Sequence, residues 1–376
     1  MKLLLRLFTD VFERVARSLD LPLLAALLAL MGVGLVTQYS ASGESLRGVA
    51  MQGAFYCIGT VALWLASRTP SHLLKQATPA LFLLSLVPMV LVLFIGGGKY
   101  GNHWIKLGFF NVQPAELCKL SLPLMLAWHF NRHALPPRFT VLLKALAIIA
   151  LPVGLTLLQR DLGTAVLILA TGVFVLFLAG TSWWWWCSGA AMGGSLFALV
   201  MLAPIEWFSF LRPYQQNRIL TFRDPDNDPM GAGWNILQSQ IAIGGGGLTG
   251  KGWGQGTQSH LNYLPEHTTD FAFSVLSEEF GWLGVAFVLA LYLFVVARCL
   301  WIAMDARDPF SRLAAGTIGL SLFAYVVVNG GMISGLLPVV GVPMPLLSYG
   351  GTSAVTLLLG FGLVMALKSR RPGQRG

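Results

Sequence analysis

The chain has 376 residues, of which 55% are hydrophobic and only 11% charged, against roughly 25% charged in an ordinary soluble domain. With a mean hydropathy of +0.69, this balance excludes a soluble globular enzyme and also a disordered chain, which needs low hydrophobicity and dense charge. The net charge of +9 is not gathered into a basic stripe suited to nucleic acid, and the four cysteines lie far apart without a C-x-x-C pair, so neither a zinc site nor a disulfide framework is indicated.

A membrane-spanning helix needs about 20 mostly apolar residues, and uncharged runs of that length recur along the chain. Leu21 to Gly43, Gly48 to Ser67 and Gln76 to Gly98 give three spans. A fourth, Val112 to Phe130, contains Glu116 and Lys119, and a fifth covers Val141 to Leu158. Leu162 to Ile205 is uncharged and too long for one span; Gly180-Thr181-Ser182 divides it into a sixth and a seventh. An eighth runs from Phe271 to Ala297. Leu313 to Leu367 divides at Pro338, Pro343 and Pro345 into a ninth and a tenth. The expected fold is therefore all-α: one polytopic domain, residues 1–376, with ten transmembrane helices and a long loop, 204–270, between the seventh and eighth.

Lys and Arg set the orientation, because short cytoplasmic loops retain them. Sixteen basic residues fall on the two termini and on every second connection, including Arg68, Lys75, Arg132, Arg138, Lys144, Arg298, Arg307 and Arg312. The opposite short connections hold four: Arg47, Lys99, Lys106 and Arg160. Both termini are thus expected in the cytoplasm and the 204–270 loop outside. A signal peptide cleaved after the first run is not expected, since its removal would spoil this alternation. Trp183 to Trp186 read as an interfacial aromatic belt.

In a chain so short of charge, carboxylates within or at the rim of the bilayer are functional candidates by default, each costing several kcal/mol unless paired or solvated. Glu116 and Lys119 lie three apart on one helical face, as a structural ion pair or as the wall of a polar cavity for an anionic or sugar ligand. Asp161 follows Arg160 at an outer connection, where it can cap a helix and still serve a site. Asp270 stands where the outer loop meets the eighth span, as a cap or as a general base. Glu278 and Glu279, two turns deeper, call for a polar cavity or a bound cation.

From Gly245 the glycine-rich stretch 244–252 reads G-x-x-x-x-G-K, but Gly252 stands where a nucleotide-binding loop needs Ser or Thr, and no strand precedes it. A turn that offers backbone N–H groups to a phosphate remains open there. Pro338 to Ser353 forms irregular backbone tolerable only where it is buried or lines a cavity, which places Ser348 in the same outward-facing site.

These segments resemble the SEDS family of bacterial membrane proteins (shape, elongation, division and sporulation), and its elongation branch rather than its division branch. The matching stretches are Gln113-Pro114-Ala115-Glu116-Leu117-Cys118-Lys119, Asp161-Leu162-Gly163-Thr164, Arg218 to Phe222, Asp228 to Asn235, Gly254 to Ser259, Leu264-Pro265-Glu266, Thr269-Asp270-Phe271 and Gly335 to Ser353. They run nearly the whole chain in order.

The resemblance implies a peptidoglycan glycosyltransferase that polymerises lipid II at the outer face of the cytoplasmic membrane, for cell elongation, beside a class B penicillin-binding protein that crosslinks the strands. It places the essential acid on Asp270. Glu116, Lys119, Asp161, Lys251, Glu266, Thr269 and Ser348 are the expected substrate-binding residues, with Arg212 and Arg218 as further cations for the departing pyrophosphate. No resident metal is implied with certainty; a divalent cation, magnesium or manganese, is the one cofactor the chemistry admits. Thr268 stands where the family has His, with His267 one place earlier, and His103 and Arg160 replace the usual Arg and Pro. A lipid II flippase and a recruiting scaffold are the competing readings.

Overall fold

A computed structural model describes residues 18–95, 103–106, 111–209, 213–224, 231–260 and 267–368. Its core elements are the helices that the apolar runs define: α1 Leu21–Ala41, α2 Leu46–Ser67 and α3 Ser71–Ile95. Then come α4 Pro114–Phe130, α5 Phe139–Leu158, α6 Leu162–Leu178 and α7 Trp183–Leu202. The segment expected as one long outer loop contains its own helices, α8 Pro213–Arg223, α9 Ala232–Gly245 and the short α10 Thr257–His260. The chain closes with α11 Ala272–Asp305, α12 Pro309–Ile333 and α13 Gly351–Leu367.

Seven of these helices, α1, α2, α3, α5, α7, α11 and α12, are long and apolar enough to cross a membrane, and α6 and α13 are shorter apolar helices. The protein is thus a polytopic, predominantly helical membrane protein. The all-α expectation needs one small correction. Ile105–Lys106 and Asn111–Val112 form a two-residue antiparallel ladder, β1 and β2, just before α4.

Capping explains several boundaries that hydropathy alone misplaces. Asp308 caps α12, accepting from Ser311 N at 3.1 Å, with Pro309 at the first helical position. The helix therefore starts four residues before the uncharged run at Leu313. α11 extends well past Ala297, because Arg298 is held by a carboxylate rather than left in lipid.

That carboxylate is Asp20, which caps α1 through Leu23 N at 3.1 Å. Arg298 grips it with Nε at 2.9 Å and Nη2 at 2.8 Å, and Lys368 Nζ lies 2.8 Å away. One buried acid thus ties the first turn of α1 to α11 and to the end of α13. Burial alone would raise its pKa, but the hydrogen bonds from Arg298, Lys368 and Leu23 outweigh this and hold it at about 2.

The remaining packing centres on α12, whose buried face meets α4, α6 and α11, while α2 and α13 pack along each other. α7 is the exception, with no buried residue, and Trp183, Trp184 and Trp185 are exposed as an aromatic belt requires.

Candidate active site

Asp270 ends the turn that leads into α11, and the backbone there is pinned from α12. Asn329, fully buried, donates from Nδ2 to the Asp270 carbonyl at 2.8 Å and to the Val342 carbonyl at 2.7 Å. One amide therefore joins the Asp270 turn, α12 and the segment between α12 and α13. Tyr349 N adds a second tie, donating to Thr268 O at 2.9 Å. The Asp270 carboxylate faces Gly341: a Cβ added there would sit 3.5 Å from Oδ2.

The same segment reaches α6. A Cβ at Gly163 would collide with the carbonyl oxygen of Val340, so the Asp161-Leu162-Gly163-Thr164 stretch needs glycine for close approach. Asp161 does cap α6, with Oδ1 accepting from Thr164 N at 3.0 Å. Its Oδ2 accepts from Gln113 Nε2 at 2.6 Å, and that amide also donates to Thr164 Oγ1 at 3.1 Å. The starts of α4 and α6 are thereby locked together beside segment 340–342.

Glu116 and Lys119 form their ion pair at 2.7 Å, with side chains 9% and 10% exposed. Lys119 Nζ also donates to Tyr325 OH at 2.7 Å, and Thr356 Oγ1 donates to Glu116 Oε2 at 3.3 Å. An ammonium carries three N–H donors, and two are used here. Tyr325 and Asn329 are four apart on α12, one turn, or about 6 Å along the axis. One helix face thus holds both the lysine and the Asp270 turn. None of Asn329, Tyr325, Gln113, Thr164 and Thr356 carries a charge, so scarcity of charge does not mark them. The four-residue spacing of Tyr325 and Asn329 within an apolar run was the signal available.

Lys251 belongs to a separate cluster. Its ammonium lies 2.6 Å from Glu278 Oε1 and 2.9 Å from Thr257 Oγ1. Glu278, fully buried, also accepts from Thr257 N at 2.9 Å, Thr257 Oγ1 at 2.8 Å and Gln258 N at 3.2 Å. The cavity or cation expected around Glu278 is therefore replaced by a lysine and the N–H groups that open α10. Glu279 accepts from Ser40 Oγ of α1.

The glycine-rich stretch has a structural task. α11 breaks at Gly281, whose φ of 61° only glycine adopts at little cost. The orphaned carbonyls of Glu278 and Glu279 accept from Lys251 N and Gly252 N, both at 3.0 Å. In return, Trp282 N and Leu283 N donate to Gly247 O at 2.9 Å and Leu248 O at 3.1 Å. The N–H groups of Gly250, Lys251 and Gly252 are all taken within the protein, so these three are not offered to a phosphate.

Ser348 is buried, and its hydroxyl accepts from Met344 N at 2.9 Å, closing the turn before α13. His267 and Thr269 sit half-buried beside Asp270. Arg218 is half-buried in α8, and His103 lies beside Trp104 with ring centroids 6.0 Å apart. Glu266, Arg212 and Lys99 lie outside the described residues. Among the described residues, no three His, Cys, Asp or Glu side chains gather into a metal-ligand set. Asp161 Oδ1 and Oδ2 and Glu116 Oε1 each accept a hydrogen bond, from Thr164 N, Gln113 Nε2 and Lys119 Nζ.

Residues 17–372 match the model of the FtsW, RodA and SpoVE family, described as cell cycle proteins. The peptidoglycan glycosyltransferase MrdB of Escherichia coli K12 is 42% identical over 354 residues, covering 94% of each chain. The probable peptidoglycan glycosyltransferase FtsW of Trichlorobacter lovleyi is 34% identical over 365 residues, covering 93% of each. Among solved structures, a chain in a study of how a peptidoglycan synthase complex coordinates polymerization and crosslinking superposes with a TM-score of 0.78. It is 32% identical and matches across 92% of this chain and 96% of that one. The rod shape determining protein RodA of Thermus thermophilus gives a TM-score of 0.69 at 28% identity, across 92% of this chain and 95% of that one. With nearly its full length matched and the motif residues assembled on α4, α6, α11 and α12, the chain belongs to this FtsW/RodA family of SEDS proteins.

Proposed function

We propose that the protein is a peptidoglycan glycosyltransferase of the elongation branch, which polymerises lipid II into β-1,4 glycan strands. In this reading it is a single domain of ten spans in the cytoplasmic membrane, both termini inside, with the Asp270 end facing outward. It works with a class B penicillin-binding protein that crosslinks the product. The full-length relationship to MrdB carries the activity, and the pinning of the Asp270 turn by Asn329 supports where the chemistry occurs.

Joining two sugars from a polyprenyl pyrophosphate donor needs a base for the attacking hydroxyl and positive charge for the leaving group. Asp270 takes the proton from the 4-hydroxyl of the acceptor N-acetylglucosamine. The freed oxygen attacks C1 of the donor N-acetylmuramic acid with inversion, and the pyrophosphate departs. Such base help contributes about 10²–10⁴-fold. Lys119 supplies its third N–H to the anionic group, while Glu116 and Tyr325 fix the ammonium so that little reorganisation is needed. Asp161, Thr269 and Ser348 shape the surrounding wall, and Lys251 joins through the loop it anchors. Magnesium or manganese, where required, would neutralise charge on the departing pyrophosphate.

The competing transporter reading needs a polar path through the bundle. In the inner half of α12, Ser321 donates to Thr317 O of its own helix at 2.9 Å and meets Thr171 Oγ1 at 3.1 Å, a helix contact rather than a path. The deciding experiment reconstitutes the purified chain with its transpeptidase in liposomes, then follows both glycan polymer and transbilayer movement of labelled lipid II. Polymer formation is expected. Movement of lipid II without any polymer would replace the enzyme with a flippase.

A further inference from the structure

At the opposite end of the bundle from Asp270, a cavity of about 490 Å³ opens between the start of α3 and the end of α4. Its walls are His72, Lys75, Gln76 and Pro79 of α3, with Trp128, Asn131 and Arg132 at the end of α4. Lys75 and Arg132 are cations, and among the described residues no carboxylate lines the space. Lys75 is half-buried one turn inside α3. Among the described residues, the ion pairs of this protein involve Lys119, Lys251, Arg298 and Lys368, not these two.

Half-buried Lys75 and the exposed Arg132 beside it have no carboxylate partner among the described residues. Arg132 is also held in place: its guanidinium carbon lies 3.7 Å from the Trp128 ring centroid. A stacked guanidinium loses little further freedom when it accepts an anion, and its planar fork matches phosphate oxygens. Lys75 adds a point charge across the space. Gln76 and Asn131 add amides able to donate to ester or glycerol oxygens.

The rest of α3 indicates what carries that phosphate. His72, Gln76 and Pro79 lie along one helix face, and residues three to four apart continue it. The continuation is Leu83, Val87, Val90 and Phe94, which are 64%, 52%, 41% and 80% exposed. A polar, cationic pocket thus leads directly onto an exposed apolar strip that runs toward the bilayer centre. Free phosphate or a nucleotide would use the pocket and leave the strip unexplained. A phospholipid uses both.

We propose that the α3–α4 cavity is a binding site for the phosphodiester headgroup of an anionic phospholipid, with Lys75 and Arg132 on the phosphate and an acyl chain along the Leu83–Phe94 face. Cationic recesses between membrane helices favour such headgroups because the cations stay near water while the tails remain in hydrocarbon. The site lies apart from the Asp270 assembly and needs only that the helices stand in a bilayer.

The test uses the full chain purified in detergent and native mass spectrometry, with phosphatidylglycerol and phosphatidylcholine of identical tails as probes. The wild-type protein is expected to retain phosphatidylglycerol in preference. The double variant Lys75→Gln, Arg132→Gln should weaken that retention about 25-fold, roughly fivefold per cation removed. Lys144→Gln, a basic residue of α5 outside the cavity wall, should retain it as the wild type does, which separates a site from bulk charge. Trp128→Leu, which frees Arg132 without removing charge, should fall between. Equal retention of the two lipids, equal loss in the Lys144→Gln protein, or full displacement by millimolar inorganic phosphate would each overturn the assignment.

Discussion

Two of the ion pairs among the described residues, Glu278 with Lys251 and Glu116 with Lys119, are satisfied to different degrees. Glu278 is enclosed by Lys251, the Thr257 hydroxyl and the N–H groups that open α10. It takes four donors, which come from the segment that mends the broken helix at Gly281. Glu116 takes two, Lys119 Nζ at 2.7 Å and Thr356 Oγ1 at 3.3 Å, and lies next to the helix face that pins Asp270. The first pair stabilises the fold. The second, with fewer donors on its carboxylate, is the one placed to meet a ligand.

Substitution separates the two roles. Glu278→Ala removes the hub of four hydrogen bonds and leaves its donors unpaired. Breaking a buried pair costs about 3–5 kcal/mol, and because Lys251 can reach water the loss is expected near about 3. It is read as a lowered unfolding midpoint in detergent. Should Glu278→Ala leave stability unchanged but abolish polymerisation, the division between the pairs would be reversed.

Lys119→Met has the complementary expectation. Glycan polymerisation falls about 10²-fold, as for loss of one preorganised electrostatic donor, and the unfolding midpoint falls as well, because Glu116 is left buried without its cation. Asn329→Leu tests the link to Asp270. It leaves two carbonyls without their donor, at about 1–3 kcal/mol, and loosens the Asp270 turn. The turnover number should therefore fall more than the Michaelis constant for lipid II rises. An equal effect on both would show that Asn329 acts on binding instead.

The Asp20 clamp provides the smallest and most specific effect. Its carboxyl is held at about 2, below the ordinary 3.8. The stabilisation is therefore complete above pH 4 and is lost as pH falls through 2. The full difference is worth about 2 kcal/mol. Unfolding midpoints measured between pH 6 and pH 3 should fall less for Asp20→Asn than for the wild type, because the variant has no charge to lose. Parallel curves would show that the clamp contributes nothing.

How far the sequence foretells this arrangement depends on the range of the interactions. Helix runs were legible because lipid demands uninterrupted apolar stretches, and the break at Gly180-Thr181-Ser182 falls between α6 and α7 as read. Starts set by caps, such as Asp308 before α12, were placed late because hydropathy carries no capping signal. Glu116, Lys119, Asp161 and Asp270 stood out through scarcity of charge. Tyr325 and Asn329 did not, since hydroxyl and amide groups in an apolar run look like ordinary helix residues until their partners are known. The glycine-rich stretch was the least legible feature. Its partner is the ladder broken at Gly281, some thirty residues further along the chain, and only folding brings the two together.

The central claim is that Asp270 is the base of a glycosyl transfer. The most direct measurement is the initial rate of lipid II polymerisation by the purified complex carrying Asp270→Asn, with the unfolding midpoint recorded on the same preparation. The account predicts a rate lower by about 10²–10⁴-fold at an unchanged midpoint, since Asn329 and Tyr349 hold the turn through its backbone. Polymerisation at the wild-type rate would contradict it.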